Sequence, residues 1–370
     1  MMSGILDQKD MSGCAISGML SETGRRFGCD AIVRSIANMH ERSNGLGGGF
    51  AAYGIYPECE DHYVIHLMCD HAQGKKDAEA VLASRCAVHN DEPIPVRPTD
   101  AMPHWPILHR YFVTPREDKQ QRQYRMTDDD AVVQVVMAIN ADVEGAYVFS
   151  SGRNMGVFKG VGYPEDVAEF FRLEDYKGHM WIAHGRFPTN TTGWWGGAHP
   201  FGLLDWAVVH NGEISSYGIN RRYLKNFGYN CALHTDTEVI TYLFDLLMRK
   251  HRLPLEIACM AMAPPFWAQV QRMPEPQRKL LTVLRTIYGG ALLNGPFSVV
   301  VGHKGGMIAF NDRIKLRPMT AARKETMLFV ASEEAAIREM CDDPDRVWYA
   351  EGGVPIVGEL RPAAVSAVNV

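Results

Sequence analysis

Apolar segments of strand length follow one another in runs along this chain, and helix-length segments form separate runs. The strand-like segments, which are short and apolar, are residues 14–20, 63–68, 131–139, 146–150, 180–183, 206–210, 297–302, 307–310 and 328–331. Apolar residues recur with helical spacing in residues 29–41, 76–84, 237–250, 255–263 and 276–293, and Ser332 is expected to cap a further short helix. Because strands and helices do not alternate regularly, the pattern predicts a layered α+β fold and argues against a doubly wound parallel sheet.

The composition is that of an ordinary globular protein. The 370 residues are 46% apolar and 22% charged, and a net charge of -5 gives no sign of a nucleic-acid-binding surface. No apolar run approaches the roughly eighteen residues of a membrane span, and residues 1–13 lack the features of a secretory signal. Without an export signal, the eight cysteines are expected to be reduced thiols in a cytoplasmic protein. They include no C-x-x-C pair, which argues against a metal site. His62 and His66 are four residues apart, but no third metal ligand accompanies them.

Polar motifs follow one another in the middle of the chain, at residues 184–199, 209–214 and 235–238. The guanidinium of Arg186 can hold a carboxylate through two parallel hydrogen bonds, and Asp236 offers a fixed carboxylate for a cation. Asn211 and Gly212 offer a side-chain amide beside a backbone N–H, the donors that an oxyanion needs. Taken alone, each has a simpler explanation. Arg186 could form a surface salt bridge, Asn211-Gly212 could form a hairpin turn, and Asp236 could cap a helix. Together they suit a free amino acid whose side-chain carbonyl is attacked.

The attacking group is missing from these motifs, and Cys14 is the candidate nucleophile. A cysteine thiol has an ordinary pKa near 8.5, so it needs a base to attack an amide at neutral pH. Removal of residues 1–13 would give Cys14 its own α-amino group, whose pKa of roughly 7.7–8.0 suits that role. On the residue alone, the simpler interpretation of one more buried cysteine stays open.

A near-terminal cysteine followed by HGRFxTN, HNGE and TDTE resembles the class II glutamine amidotransferases, which are N-terminal-nucleophile hydrolases. The resemblance implies an αββα sandwich, in which two antiparallel sheets lie between helical layers. It implies that Cys14 is the nucleophile and that Asn211 and Gly212 form the oxyanion hole. It also implies that Arg186 binds the α-carboxylate of glutamine and that Asp236 pairs with the α-ammonium.

Neighbouring positions refine the resemblance. Thr189, with Asn190, is expected to help line the pocket, whereas Ala15 departs from the usual Cys-Gly start of the family and restricts φ there. Three longer strings are similar to the single-domain, glutamate-synthase-like branch of the family: residues 194–201, 209–220 and 291–297.

That branch implies a glutaminase subunit, which hydrolyses glutamine through a thioester on Cys14 and releases glutamate and ammonia. The chain itself is expected to bind no cofactor and no metal. FMN and an iron–sulfur cluster would belong to partners, above all a flavin-containing synthase subunit that uses the ammonia; neither nucleic acid nor a membrane is an expected partner. Two alternatives stay open: the corresponding subunit of N-methylglutamate synthase, and an unprocessed, non-catalytic assembly subunit.

The expected organisation is a leader of residues 1–13, which is removed, and one domain over residues 14–370. Residues 90–127 are proline-rich and irregular, which predicts an insertion or a long connection. Either this segment or residues 254–293 would supply the docking surface for a partner. The glycines at 45–49 follow a helix and lack Gly-Lys-Ser/Thr, so they indicate a tight turn with close backbone approach, not a nucleotide site.

Overall fold

The computed structural model describes residues 13–116, 126–188 and 193–361. The strands are β1 (Ala15–Ser21), β2 (Gly48–Tyr53), β3 (Tyr63–Cys69), β4 (Cys86–Pro93), β5 (Ile107–Pro115), β6 (Ala146–Ser150), β7 (Met155–Gly160), β8 (Met180–Gly185), β9 (Phe201–Leu203), β10 (Trp206–Gly212), β11 (Phe297–His303), β12 (Gly306–Asn311), β13 (Thr320–Lys324), β14 (Met327–Ala331), β15 (Arg346–Tyr349) and β16 (Ile356–Glu359). Two antiparallel sheets dominate, with strand orders β15-β13-β14-β1-β8-β2-β7 and β16-β12-β11-β10-β9.

These two sheets pack face to face. A Cβ atom added to Gly18 of β1 would lie 2.8 Å from Met307 Sδ and 3.1 Å from Val300 Cγ1, both on the opposite sheet. The sheets therefore approach so closely at this point that any side chain on residue 18 would push its neighbours aside. Because side chains alternate along a strand, Cys14, Ile16 and Gly18 share the face of β1 that points into this interior.

Helices cover the outer face of each sheet. They are α1 (Asp30–Asn38), α2 (Ala72–Arg85), α3 (Asp128–Asp142), α4 (Pro164–Phe170), α5 (Tyr217–Lys225), α6 (Asp236–Phe244), α7 (Leu255–Met262), α8 (Trp267–Val270), α9 (Glu275–Ile287) and α10 (Glu334–Arg338), and α6 continues as a π-helix over Asp245–Lys250. The helices α1, α4 and α10 pack on the seven-stranded sheet, whereas α6 packs on β9 and β10 of the other. The result is the predicted αββα sandwich.

A third antiparallel sheet, in the order β4-β5-β3-β6, extends the sandwich. The proline-rich segment is less irregular than expected, because β5 and the end of β4 lie within it. Strand β5 pairs with β3 on one side and with β4 on the other, the latter with a register shift between Val88 and Asn90, and α2 and α3 pack against these strands. Among the described residues, no helix is long and apolar enough to cross a membrane.

The predicted strand over residues 131–139 is wrong, because these residues form the middle of α3. A capping box begins this helix: the Thr127 side chain accepts a hydrogen bond from Asp130 N at 3.2 Å, and the Asp130 carboxylate accepts one from Thr127 N at 3.1 Å. Most of the helix is buried, so its apolar residues do not show a single helical face. The cap predicted at Ser332 is also wrong: Glu333 is the N-cap residue, and the Ser332 hydroxyl instead accepts a hydrogen bond from Ile16 N at 3.2 Å.

Candidate active site

Sheet register places Cys14 beside Arg186. The antiparallel pairing of β1 and β8 sets Ala15 opposite Gly185, so the next pair outward is Cys14 and Arg186. On the other side of β8, Gly48 pairs with Gly185, and Arg186 N donates to Gly47 O at 2.9 Å. Two residues that are 172 positions apart in sequence are thus neighbours at one edge of the seven-stranded sheet.

The backbone of Arg186 is fixed from both sides. Its carbonyl accepts hydrogen bonds from Ser43 Oγ at 3.2 Å and from Asn44 N at 3.3 Å. Gly47 has a φ of +152°, and a Cβ atom there would lie 3.2 Å from Arg186 Cδ. The glycine segment at 45–49 therefore gives room to the arginine, as the expected close backbone approach requires. The side chain of Arg186 is only 6% exposed, and burial lowers the pKa of its guanidinium.

The Cys14 thiol accepts a hydrogen bond from the backbone of Phe187, the residue that follows Arg186. Phe187 N donates to Sγ at 3.3 Å. Burial raises the pKa of the Cys14 thiol; the Phe187 N–H and the Arg186 charge lower it by less. The thiol is therefore protonated at neutral pH in the described chain, so a base must take its proton before it can attack an amide.

Asn211 and Gly212 end strand β10 and do not form a hairpin turn. They pair with Ser298 and Phe297 of β11. A Cβ atom on Gly212, whose φ is +150°, would lie 2.0 Å from Pro296 O, so only glycine fits. The Asn211 side chain is fully buried, and neither its amide nitrogen nor its oxygen has a hydrogen-bond partner among the described residues.

The amide of Asn211 is on the same side of the sandwich as the thiol. Alternation along β10 puts Asn211 on the face of Ala207 and Val209, which belong to the core between the two main sheets. Cys14 is on the corresponding inner face of β1. A buried amide with no partner is costly unless something else satisfies it, which makes Asn211 a candidate for a group that becomes charged during a reaction.

Asp236 is the first residue of α6, and it is not the cap. Thr235 caps the helix, because its Oγ1 accepts a hydrogen bond from Glu238 N at 3.2 Å. The carboxylate of Asp236 instead accepts a hydrogen bond from Ile214 N at 3.0 Å and lies 3.5 Å from His210 Nδ1. Burial alone would raise the pKa of this carboxyl, but His210 and the neighbouring N–H groups outweigh burial and lower it. Asp236 is therefore charged at neutral pH.

Cys14, Arg186, Gly212 and Asp236 line one cavity of about 340 Å³. A cavity of this size is in the range of small-molecule sites. Asn211 is not among the lining residues, and Thr189 with Asn190 lies outside the described residues. The structure therefore brings together four of the six predicted site residues around one cavity and puts a fifth, Asn211, directly before Gly212 on β10.

Sequence reasoning gave no role to three buried residues next to this cavity: His199, His210 and Thr237. His199 and His210 line the cavity. Thr237 is fully buried and contacts both histidines through its hydroxyl. All three residues stand in the motifs that carry the other site residues: His199 in 184–199, His210 in 209–214 and Thr237 in 235–238. Their place in these motifs was the signal that could have found them.

The paired histidines considered for a metal do not form a metal site. His66 is fully buried, its Nε2 lies 3.0 Å from Tyr56 OH, and its Nδ1 lies 3.0 Å from Val157 O. Burial lowers the pKa of His66 to about 3, so this ring is a neutral part of the core. Within the part of the chain that the structure describes, no group of three His, Cys, Asp or Glu side chains could hold a metal ion.

Comparison with known proteins supplies the family. The family described as class-II glutamine amidotransferases matches residues 66–347, a range that contains Arg186, Asn211 and Asp236 but begins after Cys14. A relative that is an uncharacterized protein of Archaeoglobus fulgidus is 51% identical over 360 residues and covers 96% of this chain and 95% of its own. A putative glutamine amidotransferase of Methanothermobacter thermautotrophicus is 24% identical over 348 residues, covering 93% of this chain and 99% of its own.

Among solved structures, glutamine phosphoribosylpyrophosphate amidotransferase from B. subtilis matches 92% of this chain and 46% of its own, with a TM-score of 0.45 and 14% identity. The family match alone covers most of the chain and includes β8, β10 and α6, which position Arg186, Gly212 and Asp236 at the cavity. The chain belongs to the class II glutamine amidotransferases, the family whose members take the side-chain nitrogen of glutamine.

Proposed function

We propose that this protein is the glutaminase subunit of a glutamate-synthase-like enzyme, with Cys14 as its nucleophile. One observation carries the proposal: Cys14, Arg186, Gly212 and Asp236 line the same cavity. Glutamine offers a matching set of groups, namely a side-chain amide, an α-carboxylate and an α-ammonium. Arg186 would hold the α-carboxylate and Asp236 the α-ammonium, which leaves the amide to face Cys14.

In the proposed reaction, the α-amino group of a processed Cys14 takes the thiol proton, and Sγ attacks the amide carbon of glutamine. The oxyanion that forms would be stabilised by Asn211 Nδ2 and by the N–H of Gly212. The C–N bond then breaks while the Cys14 ammonium protonates the leaving nitrogen. Ammonia departs, a γ-glutamyl thioester is left on Sγ, and water hydrolyses it to give glutamate and the thiol.

Processing is part of this proposal, because Cys14 has no α-amino group while Gly13 is attached. The raised pKa of the buried thiol makes a nearby base necessary. We expect cleavage between Gly13 and Cys14 in the active protein. Intact-mass measurement of a sample that hydrolyses glutamine should show the loss of residues 1–13; full activity from a chain that keeps them would contradict the mechanism.

The proposed consumer of the ammonia is a flavin-containing synthase subunit. Helix α9 supports a docking role for the 254–293 segment, because it has two apolar stripes. Leu281 and Leu284 are buried in the domain, whereas Leu280, Val283 and Ile287 on another side are 43%, 51% and 61% exposed. Exposed apolar stripes of this kind are typical of protein interfaces.

Co-expression tests the partner. We expect the isolated chain to hydrolyse glutamine slowly and the products of neighbouring genes to co-purify with it and raise the rate. Leu280→Lys with Val283→Lys should abolish co-purification but leave the slow basal rate. Fast hydrolysis that ignores those products would point to a free-standing glutaminase.

A further inference from the structure

The hydroxyl of Thr237 is shared by three polar groups of the site. Thr237 is the second residue of α6 and is fully buried. Its Oγ1 lies 2.6 Å from His199 Nε2, 3.1 Å from His210 Nδ1 and 3.4 Å from Asp236 Oδ1. One short side chain thus contacts a loop histidine, a strand histidine and the carboxylate that lines the cavity.

The hydrogen atoms available to this group can be assigned. A hydroxyl donates one hydrogen bond and can accept two, whereas two ring nitrogens and a carboxylate approach this oxygen. The carboxylate can only accept, so the Thr237 hydroxyl donates to Asp236 Oδ1 at 3.4 Å. His210 Nδ1 and His199 Nε2 then each carry a hydrogen and donate to Thr237 Oγ1. Burial lowers the pKa of His199 well below its ordinary value, so that ring is neutral with its one hydrogen on Nε2.

A third histidine joins this network to the rest of the site. The rings of His184 and His199 are stacked, with centroids 4.1 Å apart and planes 19° apart. His184 Nε2 donates to His210 O at 3.0 Å. His184 precedes Arg186 by two residues, and His210 directly precedes Asn211. The network therefore connects the strand that carries the arginine, the strand that carries the amide and the helix that carries the carboxylate.

We propose that Thr237 is a positioning residue for recognition of the substrate's α-ammonium. By holding His210 and His199 on one hydroxyl, it fixes the rotamer of Asp236 and so the direction in which the carboxylate faces the cavity. This inference rests on the proposed function, because it assumes that Asp236 pairs with an α-ammonium. Thr237 itself does not line the cavity and takes no part in the reaction.

The test compares two ligands that differ only in the α-amino group. Glutamate carries it and glutarate lacks it. The affinity of each is measured by how well it protects Cys14 from alkylation by iodoacetamide, so the measurement does not depend on turnover. Thr237→Val removes the hydroxyl, whereas Thr237→Ser keeps it.

Thr241 provides a matched control, because it is a fully buried threonine one turn further along the same helix. Its hydroxyl donates to Thr237 O at 2.8 Å, and within the part of the chain that the structure describes it has no hydrogen bond to a cavity-lining residue. Thr241→Val therefore makes the same chemical change in the same helix without touching His199, His210 or Asp236. Thermal melting of each variant shows whether any effect follows from stability alone.

We expect Thr237→Val to weaken glutamate binding about tenfold, since a hydrogen bond to a charged group is weakened, and to leave glutarate binding within about twofold. The KM for glutamine should rise similarly while kcat changes little. Thr237→Ser and Thr241→Val should keep the wild-type preference for glutamate. An unchanged preference in Thr237→Val, or an equal loss for both ligands, would overturn the inference.

Failure of the proposed function gives a different result. A wild-type protein that glutamate protects but that does not hydrolyse glutamine would refute the glutaminase proposal alone. A wild-type protein whose Cys14 is protected by neither ligand would refute the assignment of the cavity, and the role of Thr237 with it.

Discussion

The two ends of the cavity differ in how far their polar groups are already paired. At the binding end, defined by Arg186 and Asp236, the carboxylate has a backbone N–H and an imidazole, and the arginine backbone is held by three hydrogen bonds. At the reaction end, defined by Cys14, Asn211 and Gly212, the Asn211 amide has no partner among the described residues and the thiol accepts one N–H.

This difference matches what each end has to do. Groups that bind a substrate of constant charge can be fixed in advance, which reduces the entropy lost on binding. Groups that stabilise a transition state are useful only if their interactions strengthen when charge develops. The amide of Asn211 lowers the reaction barrier most if it makes no strong hydrogen bond before the oxyanion forms.

Cys14→Ala should abolish glutamine hydrolysis, by a factor of about 10⁴ or more, because no other thiol lines the cavity among the described residues. The variant should also keep residues 1–13, since the proposed cleavage needs the same thiol. Both are read from one sample, by an ammonia assay and by intact mass. Cys341→Ala is the control, as Cys341 is a half-buried free cysteine that does not line the cavity. Hydrolysis of glutamine by Cys14→Ala would show that the Cys14 thiol is not the nucleophile.

Asn211→Ala should lower kcat roughly a hundred- to a thousandfold, the usual cost of losing one oxyanion donor, and leave KM nearly unchanged. The melting temperature should hardly move, because the amide makes no hydrogen bond within the described protein that the variant would lose. A rise in KM with unchanged kcat would move Asn211 to the binding end.

Asn220→Ala is the matched control for Asn211→Ala, because it removes a buried amide that is already hydrogen-bonded. This asparagine is equally buried, but its side chain donates to Gly290 O at 2.7 Å and to Leu292 O at 3.0 Å. Its loss should destabilise the fold by about 1–3 kcal/mol, because buried carbonyls lose their partner, and it should leave kcat nearly unchanged. The two variants together separate an amide used for chemistry from one used for folding.

Arg186→Lys and Asp236→Asn should raise the KM for glutamine roughly tenfold to a hundredfold with smaller effects on kcat, because each loses a charge-assisted contact. Iodoacetamide should still label Cys14 in both, which shows that the reaction end is intact. Wild-type affinity for glutamine in both variants would exclude them from the binding end.

The pH dependence should belong to the reaction end alone. The pKa of Asp236 is lowered from its ordinary 3.8, so its contribution to stability and binding is complete above 3.8 and is lost only as the pH falls through the lower value of the folded state. Glutamate affinity should therefore vary less than about twofold between pH 5.5 and 8. The value of kcat/KM should instead rise over pH 6–8, as the α-amino group of the processed Cys14 loses its proton near 7.7–8.0. A glutamate affinity that changes with pH in parallel with kcat/KM would contradict the division into a binding end and a reaction end.

The sequence predicted the family and the αββα class, and both are confirmed. The roles of Cys14, Arg186, Asn211, Gly212 and Asp236 stay predictions, because motifs name residues without placing them. The neighbouring positions of Cys14 and Arg186 depend on the register of β1 against β8, which pairs segments far apart in the chain. The link from Thr237 to His199 likewise depends on how a loop folds back onto a helix.

Local signals were overridden where burial was complete. The valine-rich run in α3 has the β-branched composition of a strand, and only the Thr127–Asp130 capping box indicates a helix. The Asn-Gly pair is typical of a hairpin turn, yet it ends a central strand, because the long-range pairing with β11 outweighs the preference of a dipeptide. Periodicity and dipeptides describe the preference of a segment in isolation, whereas the secondary structure of these two segments is set by the elements that pack against them or pair with them.

The position of β1 has a practical consequence. Chain ends normally fray, whereas this strand is paired with β8 from Ala15 onwards and with β14 from Ser17 onwards. A processed chain would therefore begin one residue before the sheet, next to a strand that is paired on both sides. A purification tag fused before Met1 would be lost with the leader, while one after Val370 would remain. In a protein that carries both tags, cleavage after Gly13 would be seen on a gel as the loss of the N-terminal tag while the C-terminal tag remains.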